Sequence, residues 1–466
     1  MKSDLNFSTY QSPFSWRYGS DEMRQIFSEE NKRKIWRKIW LSLAKFQQKA
    51  GLVTKEEFKD LEKNVKKVDI KKALDIEKEI YHDLMSEIKV YASQAKVGGG
   101  KIHLGATSMD IEDNADIIRV SLALEIVESK LKKLIKVFAV HIKKYQNTVC
   151  MGYTHLQPAE PTTLGYRFSI YALDLLNDLR LLRYFKSQLR AKGMKGAVGT
   201  SASYVKLLED KQTDAQTLSS QVMQDLGLKE SQVTTQTYPR KTDLHLTFIL
   251  SSIAQSINKF AFDLRIMQSP NFGEWSEPMS EKRVGSSAMP FKKNPDKAEK
   301  ICSLARYVST LVNISWDNAA SSLLERTLDD SANRRIFIPE GFLAIDEILT
   351  VAIYLTEGLV IRVENIKRNL EKYGPFSGTE SLMMEAVKCG ANRQEMHETI
   401  RTAATCAWDE INKSGNNPLV NILKNDKMIT AYIEKKDIPR LIDPVNHTGL
   451  AQKKCLLVLK EIDKEI

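Results

Sequence analysis

The chain has 466 residues, more than one hydrophobic core normally organises, so its length predicts two or three domains and excludes a small disulfide-stabilised scaffold. Its 69 lysines and arginines against 59 acidic residues give a net charge of +10, which suits an anionic nucleic acid, membrane surface or metabolite without choosing among them. The five cysteines form no C-x-x-C pair, which argues against a disulfide framework and a structural zinc site.

The apolar content of the chain gives no sign of a membrane protein. The N-terminal segment MKSDLNFSTYQSPFSWRYGS lacks an apolar signal region, and no stretch reaches the roughly 18 uncharged apolar residues that cross a bilayer. The odd number of cysteines fits reduced thiols. We therefore expect a soluble, cytoplasmic protein with neither a metal ion nor another cofactor.

Long helices dominate the sequence pattern. Gly (21) and Pro (13) are both scarce, which favours an all-α protein. No Gly or Pro lies between Gly105 and Gly152, and apolar residues recur there every three or four positions, which predicts an amphipathic helix of roughly 35 residues. Similar patterns predict long helices at 162–192, 241–269, 295–324 and 339–363. Because some are apolar on several faces, we expect a helical bundle and an oligomer.

Shorter helical patterns flank the long ones on both sides. The first region is broken at Gly51 and at the VGGG segment 97–100, and the last hundred or so residues again read as short helices. We therefore predict an N-terminal helical domain at 1–107, a central bundle domain at 108–361 and a C-terminal helical domain at 362–466.

The first two of four polar segments that interrupt the helices have simple structural explanations. The first contains Gly-Gly-Gly-Lys at 98–101, which lacks the spacing of a phosphate-binding P-loop, and Thr107 and Ser108, which are most simply helix caps. The second is GYTHLQPAEPTTLG at 152–165, a rigid polar loop with one histidine, His155. A lone histidine is a surface or core residue more often than a catalytic one.

For each of the other two segments, a binding site is an alternative to a purely structural role. GSSAMPFKKNP at 285–295 lacks the Gly-x-Ser-x-Gly spacing of a nucleophile elbow, so it is either an exposed linker or a loop whose serines and lysines bind an anion. ERTLDDSANRR at 325–335 is either a capped helix start or a phosphate site, because three arginines lie beside a predicted helix N-terminus. The N-terminal SWRYGS offers a further Arg-Tyr pair.

Together these segments resemble the fumarase/aspartase superfamily, whose G-S-S-x-M-P-x-K-x-N-P loop is matched at every fixed position of 285–295. Within it, SPFSWRYGS, HLGATS, YTHLQPA, TTQTYPRK and ERTLDDSANRR are similar to the adenylosuccinate lyase family. The resemblance implies a homotetramer of three-domain, all-α subunits, with active sites shared between subunits. It also implies β-elimination of fumarate from two purine nucleotides, adenylosuccinate, which gives AMP, and succinylaminoimidazole carboxamide ribotide, which gives AICAR.

The resemblance further implies a role for each matching residue. Ser286 is the general base, and His155 is the general acid that protonates the departing nitrogen. His82 orients the substrate, and Glu299 is the carboxylate partner of His155. Lys292 helps to stabilise the Ser286 alkoxide, because a serine hydroxyl acts as a base only when its anion is stabilised.

The remaining matching residues bind substrate in this interpretation. Ser287 supports the loop or contacts an anion, and Asp83 joins the substrate-binding set beside His82. The residues matched to the succinyl carboxylates are Thr107, Ser108, Thr154, Gln236, Lys292 and Asn294. Those matched to the nucleotide phosphate are Arg17, Tyr18, Arg326, Ser331 and Arg335, whose guanidinium groups suit bidentate contacts.

Two positions depart from the family pattern, and rival interpretations stay open. Tyr81 stands where members often have a basic residue and Tyr166 where some have lysine; these departures bear on substrate affinity or on the preference between the two substrates, and we expect the reaction itself to survive. Another superfamily lyase, such as argininosuccinate lyase, would have no use for the ERTLDDSANRR phosphate motif. A catalytically silent relative would not need the complete catalytic set. A nucleic-acid binder would need a recognition module, and the sequence contains none.

Overall fold

The computed structural model describes residues 7–279 and 286–466. The N-terminal part forms a series of helices whose starts are set by capping side chains. Ser20, Ser28, Thr54 and Asp69 each accept a hydrogen bond from a backbone N–H of the helix that follows. These helices are α1 (Asp21–Phe27), α2 (Glu29–Lys49), α3 (Lys55–Asn64), α4 (Ile70–Ile80) and α5 (Asp83–Gln94).

The middle of the chain forms the five long helices that the apolar periodicity predicts, with two short helices among them. In chain order they are α6 (Ser108–Tyr145), α7 (Leu164–Gln188), α8 (Ala202–Leu207), α9 (Ala215–Asp225), α10 (Lys241–Gln268), α11 (Asp296–Ala320) and α12 (Ser331–Glu357). The all-α fold class is confirmed. Within the described residues, no helix combines the length and the apolar content that a bilayer crossing needs.

The start of α12 differs from the prediction. This helix begins at Ser331, whereas the pattern placed its start at Pro339, which instead lies inside the helix. A proline in a helix interior costs about 3 kcal/mol, because it lacks the N–H of the helical hydrogen bond. Ile338 before the proline and Phe342 after it are both buried. Burial of apolar side chains on both sides outweighs that cost and keeps the helix continuous.

Four short strands occur among the described residues, in two antiparallel pairs. Strands β1 (Val149–Thr154) and β2 (Gln157–Thr163) form a hairpin between α6 and α7, with Val149 opposite Thr163 and Thr154 opposite Gln157. Strands β3 (Trp275–Ser276) and β4 (Val360–Ile361) pair over two residues each. The C-terminal helices are α13 (Val363–Ser377), α14 (Thr379–Lys388), α15 (Arg393–Ser414), α16 (Leu419–Asn425), α17 (Lys427–Thr430), α18 (Ile438–Leu441) and α19 (Ala451–Glu465).

The chain forms two compact units, each made of three segments. Unit 1 comprises residues 1–130, 178–255 and 303–350, and unit 2 comprises 131–177, 256–302 and 351–466, apart from the residues not described. Each long helix contributes residues to both units, since every boundary inside 108–357 falls within a helix. The division into three domains stays a prediction.

Each unit has its own buried apolar core. In unit 1, large aromatic side chains such as Trp36, Trp40 and Tyr91 are almost fully buried with their neighbours from α2, α5 and α9. In unit 2, Phe138 of α6 contacts Phe260 of α10 edge to face at 5.1 Å between ring centroids. A second cluster in unit 2 joins α14, α15 and α16. Aromatic burial on this scale dominates core energetics.

Candidate functional site

Unit 1 contains a pocket of about 120 Å³ at the N-terminus of α12. Three residues predicted to bind phosphate, Arg326, Ser331 and Arg335, line it. Asp83, from the predicted substrate-binding set, lines it as well. A helix N-terminus carries partial positive charge and unpaired N–H groups, so it attracts anions. The helix N-terminus and the arginines of this pocket therefore suit a phosphate group, although acidic side chains line it as well.

Arg335 and Asp83 join α12 to α5 within this pocket. An Nη atom of Arg335 lies 2.8 Å from a carboxylate oxygen of Asp83. Burial opposes ionisation of Asp83, but the Arg335 charge and a hydrogen bond from the Leu84 N–H hold the pKa of Asp83 below its ordinary value. The side chain of Arg335 is still 54% exposed. It therefore has donors left for a ligand.

Asp330, directly before α12, is in the capping position with its backbone and binds arginines with its side chain. The main-chain oxygen of Asp330 accepts the first hydrogen bond of the helix, from the Arg334 N–H at 3.1 Å. Its carboxylate instead accepts hydrogen bonds from Arg326, at 2.7 Å, and from Arg240. The helix therefore begins within the 325–335 segment, as a capped helix start predicts, and the Asp330 carboxylate binds guanidinium groups in charge-assisted hydrogen bonds.

Arg334, the third arginine of the segment, is bound by other side chains of the protein. Its guanidinium donates to Asp243 at 2.7 Å and to the Tyr238 hydroxyl at 2.6 Å, and the side chain is only 8% exposed. It is therefore a structural residue that fixes the N-terminal part of α12. The phosphate role of Arg326 and Arg335 stays a prediction.

Thr107 and Ser108 lie at the start of α6, where the side chain that caps the backbone is that of Asp110 and not of either residue. The Asp110 N–H donates to the main-chain oxygen of Thr107 at 3.0 Å, which puts Thr107 in the capping position. The Asp110 carboxylate accepts from the Thr107 N–H at 3.0 Å and pairs with buried Lys192. Within the described residues, neither hydroxyl makes a hydrogen bond. Both hydroxyls are therefore available to a ligand.

The other predicted residues of unit 1 lie outside the lining of the pocket. His82 precedes α5, where its Nδ1 accepts a weak hydrogen bond from the Met85 N–H at 3.4 Å. The Gln236 N–H donates to the main-chain oxygen of Glu325 at 3.1 Å, directly before Arg326. Arg17 is exposed, 5.5 Å above the ring of Trp16. Tyr18 and Arg17 are not brought into the pocket lining.

Unit 2 contains Ser286, whose side-chain oxygen is bound by the loop backbone. Its Oγ accepts hydrogen bonds from the Ala288 N–H at 3.3 Å and the Met289 N–H at 3.0 Å. Two N–H donors aimed at one oxygen stabilise negative charge on it. Ser287 and Lys292 are exposed in the same loop. Gly285, the first residue of the motif, lies outside the described residues.

The C-terminal end of this loop is anchored by Gln268, at the end of α10. Its amide donates to the main-chain oxygen of Lys293 at 2.9 Å and accepts from the Glu277 N–H at 2.9 Å. Glu277 is fully buried and accepts from the Ala298 N–H at 2.6 Å. Asn294 therefore lies in a segment fixed at both sides, between Lys293 and the first turn of α11.

His155 and Leu156 form the exposed tip of the β1–β2 hairpin, in an unusual backbone conformation. Their φ angles are 53° and 61°. A two-residue turn with both φ values positive normally uses Asn-Gly, because residues with a Cβ are strained there. Strain of this kind concentrates at functional sites. The strained conformation therefore supports a functional role for His155, which an ordinary surface histidine would not have. Thr154 precedes it in the chain.

A buried polar cluster forms hydrogen bonds with strand β1 of this hairpin. The Arg167 guanidinium donates to the main-chain oxygen of Met151 at 2.7 Å and to Glu274 at 3.3 Å. The Tyr153 hydroxyl donates to Glu274 at 3.4 Å, and the Asn369 amide does so at 3.1 Å. Since Tyr153 is two residues before His155, this cluster fixes the strand that carries the histidine.

Glu299 lies in the first turn of α11, half exposed. It forms an ion pair with Arg265, with 3.9 Å between Nη2 and the carboxylate oxygen. Within the described residues, no hydrogen bond or ion pair joins Glu299 to His155. The role of Glu299 as partner of the acid histidine stays a prediction.

The sequence analysis missed the acidic residues at the start of α6. The apolar stripe of Ile117, Val120 and Leu124 continues backwards at helical spacing to Asp113 and Asp110, which are buried. Acidic residues on a stripe that should be apolar are a usable signal, because buried carboxylates need partners. Glu112 of the same turn lines the pocket and was missed as well.

Solved structures identify the fold class. The chain is similar to 3-carboxy-cis,cis-muconate lactonizing enzyme from Pseudomonas putida, with a TM-score of 0.86 and 22% identity over 98% of this chain and all of the other. It is also similar to fumarate lyase from Mesorhizobium sp. BNC1, with a TM-score of 0.83 and 21% identity over 97% and 99% of the two chains. At this identity the likeness establishes the fumarase-like fold alone.

Sequence comparisons identify the family. The profile described as "Lyase" matches residues 16–309, and that described as "Adenylosuccinate lyase C-terminus" matches 375–455. Adenylosuccinate lyase of Saccharomyces cerevisiae is 36% identical over 99% of this chain and 95% of its own length, and that of Schistosoma mansoni is 37% identical over 99% and 96%. The chain belongs to the adenylosuccinate lyase family. The prediction made from the motifs is confirmed.

Proposed function

We propose that this protein is a carbon–nitrogen lyase that eliminates fumarate from adenylosuccinate to give AMP, and from succinylaminoimidazole carboxamide ribotide to give AICAR, in purine nucleotide biosynthesis. The observation that carries this proposal is the pocket lined by Arg326, Ser331 and Arg335 at a helix N-terminus. Both substrates carry a phosphate that needs such a site. A lyase acting on argininosuccinate has no phosphate to bind.

The proposed base is Ser286. In a β-elimination the base removes a proton from the carbon beside a carboxylate, and the C–N bond then breaks as its nitrogen is protonated. The N–H groups of Ala288 and Met289 reach the Ser286 oxygen and stabilise its alkoxide. Lys292 adds a positive charge on the same loop and anchors a substrate carboxylate.

The proposed acid is His155, which protonates the departing nitrogen. Its exposed position at a strained turn supports this role, because backbone strain of this kind concentrates at functional sites. Glu299 is proposed as its carboxylate partner and His82 as the histidine that orients the substrate. Each role is testable by substitution.

The proposed contacts to the two succinyl carboxylates come from short polar side chains. The hydroxyls of Thr107 and Ser108 are unoccupied among the described residues and lie at a helix N-terminus, which favours an anion. The other proposed carboxylate contacts are Thr154, Gln236, Ser287, Lys292 and Asn294. Arg17, Tyr18 and Asp83 complete the proposed substrate-binding set.

We further propose a homotetramer in which subunits share active sites. All five long helices expose large apolar side chains, a pattern typical of buried subunit interfaces. Examples, one from each helix, are Leu122, Tyr184, Phe248, Trp316 and Tyr354, which are 46%, 66%, 55%, 57% and 47% exposed. A cytoplasmic location is proposed as well, since Cys150, Cys389, Cys406 and Cys455 are free thiols. No partner that is a nucleic acid or a membrane is proposed.

The decisive experiment incubates purified protein with adenylosuccinate and measures AMP and fumarate. We expect the two products in equal amounts. Argininosuccinate serves as the matched control, because it tests the same elimination on a substrate without phosphate. Turnover of argininosuccinate but not of adenylosuccinate would overturn the proposal, and turnover of neither would favour a catalytically silent relative.

A further inference from the structure

The carboxyl group of Glu112 lines the α12 pocket without a partner. Glu112 lies in the second turn of α6 and borders the same cavity as Asp83 and Arg335. Within residues 7–279 and 286–466, no hydrogen bond or ion pair involves its side chain. Its neighbours on α6 differ, since Asp113 binds Arg240 at 3.1 Å and Asp116 binds Arg334 at 3.1 Å.

Several elements contribute the charged groups that line the pocket with Glu112. The titratable or charged side chains lining the pocket from α2, α5, α12 and the segment before α12 are Glu29, Lys32, Asp83, Arg326, Arg334 and Arg335. Those on α6 itself are Asp113, Asp116 and Arg119. The cations are largely paired with carboxylates already: Lys32 with Glu29 at 2.7 Å and Arg335 with Asp83 at 2.8 Å are examples.

A phosphate dianion entering this pocket would meet an unpaired carboxyl group. If that group were ionised, the two negative charges would repel each other in a partly buried site, where such repulsion is strong. If it were protonated, it would offer an O–H donor to a phosphate oxygen. Burial, with the charge of Asp83 adding to it, raises the pKa of Glu112 to about 8. The protonated form is therefore accessible at neutral pH.

We propose that Glu112 is a ligand-binding residue of this pocket, which holds a proton and donates it in a hydrogen bond to the phosphate of a bound nucleotide. This inference rests on the proposed function, because it takes the pocket to be the nucleotide phosphate site. It makes nucleotide binding a proton-linked event. Arg335 supplies the positive charge and Glu112 supplies a neutral donor.

The proposal predicts a specific pH dependence of AMP binding. The AMP phosphate titrates near pH 6, so between pH 7 and 9.5 its charge is constant. Only protein with Glu112 protonated binds well, so the apparent Kd rises as pH passes through the pKa of Glu112. One pH unit above that pKa, binding is about tenfold weaker than well below it.

The test measures AMP binding to the full-length protein by calorimetry from pH 7 to 9.5. The variant is Glu112→Gln, whose amide keeps an N–H donor without a charge that titrates. We expect its affinity at pH 9.5 to remain close to its affinity at pH 7. The matched control is Glu125→Gln, the same change on the same helix at a side chain that is 67% exposed and outside the pocket. It should keep the pH dependence of the wild type.

A second measurement needs no variant. At pH 8.5, AMP binding to the wild-type protein should take up protons, which appears as a binding enthalpy that differs between buffers of different ionisation enthalpy. Absence of uptake, or the same pH dependence in Glu112→Gln as in the wild type, would overturn the inference alone. Failure of AMP to bind the wild type at pH 7 would overturn the proposed function, and this inference with it.

Discussion

The side-chain oxygen of Ser286 accepts a hydrogen bond from the backbone N–H of Met289 at 3.0 Å. The residue proposed as the base therefore has its oxygen bound by the loop that presents it. This arrangement ties the charge on the serine to the backbone conformation of the loop, since an N–H donor stabilises an alkoxide more than a hydroxyl. A change that alters the loop should therefore affect the base as well.

Replacing Ser286 with alanine should lower kcat by about 10³-fold, because the reaction loses its base. Substrate binding should remain, since Ser286 is not proposed to hold either carboxylate. Steady-state kinetics with adenylosuccinate, together with equilibrium binding of AMP, separate the two effects. Ser287→Ala removes the adjacent, exposed hydroxyl and should cost much less. Equal losses in the two variants would remove Ser286 as the base.

Replacing Arg335 with alanine should weaken AMP binding by about 1.5–3 kcal/mol, roughly 10- to 150-fold, because a charged hydrogen bond to the phosphate is lost. KM should rise more than kcat falls. Arg401→Ala is the matched control, since it removes the same charge from an exposed pair with Glu398 on α15. Unchanged AMP binding in Arg335→Ala would exclude it from the phosphate site.

Replacing Leu156 with glycine should raise the free energy of unfolding by about 1 kcal/mol, because glycine adopts a φ of 61° without strain. Urea unfolding monitored by circular dichroism measures the change. Leu74→Gly is the matched control, an exposed leucine inside α4 where glycine should instead cost about 1 kcal/mol. Equal destabilisation by both changes would show that the hairpin tip stores no strain.

Lowering the pH should reduce the free energy of unfolding, because His103 becomes protonated. Its Nδ1 accepts a hydrogen bond from the Trp40 indole at 3.1 Å, and burial lowers its pKa to about 4. Because the folded-state pKa lies below the unfolded value of about 6.5, this contribution to stability is complete above pH 6.5. It is lost as pH falls through the folded-state pKa, up to about 3 kcal/mol in total.

The test of this pH dependence compares the free energy of unfolding at pH 7 and pH 4.5. His103→Asn removes the titrating ring and tolerates the φ of 69°, so its stability should change less between the two pH values than that of the wild type. His397→Asn, on the exposed surface of α15, should behave like the wild type. An unchanged pH dependence in His103→Asn would contradict the prediction.

The long helices and the family were readable from the sequence. A helix that buries one stripe repeats apolar residues every three or four positions, so α6 and α10 are evident without a structure. The loop at 285–295 identifies the superfamily because its chemistry requires particular residues at fixed spacing. Several candidate site residues, Arg326 and Arg335 among them, could be named from such motifs.

Which residues pair, and which stay unpaired, followed from three-dimensional placement. Asp83 meets Arg335 although 252 positions separate them, and Arg334, one residue away, binds Asp243 and Tyr238 instead. The periodicity of a helix records which side is buried, but not which neighbour covers it. The unpartnered carboxyl of Glu112 and the strained turn at His155 depend on packing and backbone geometry that local sequence patterns do not encode.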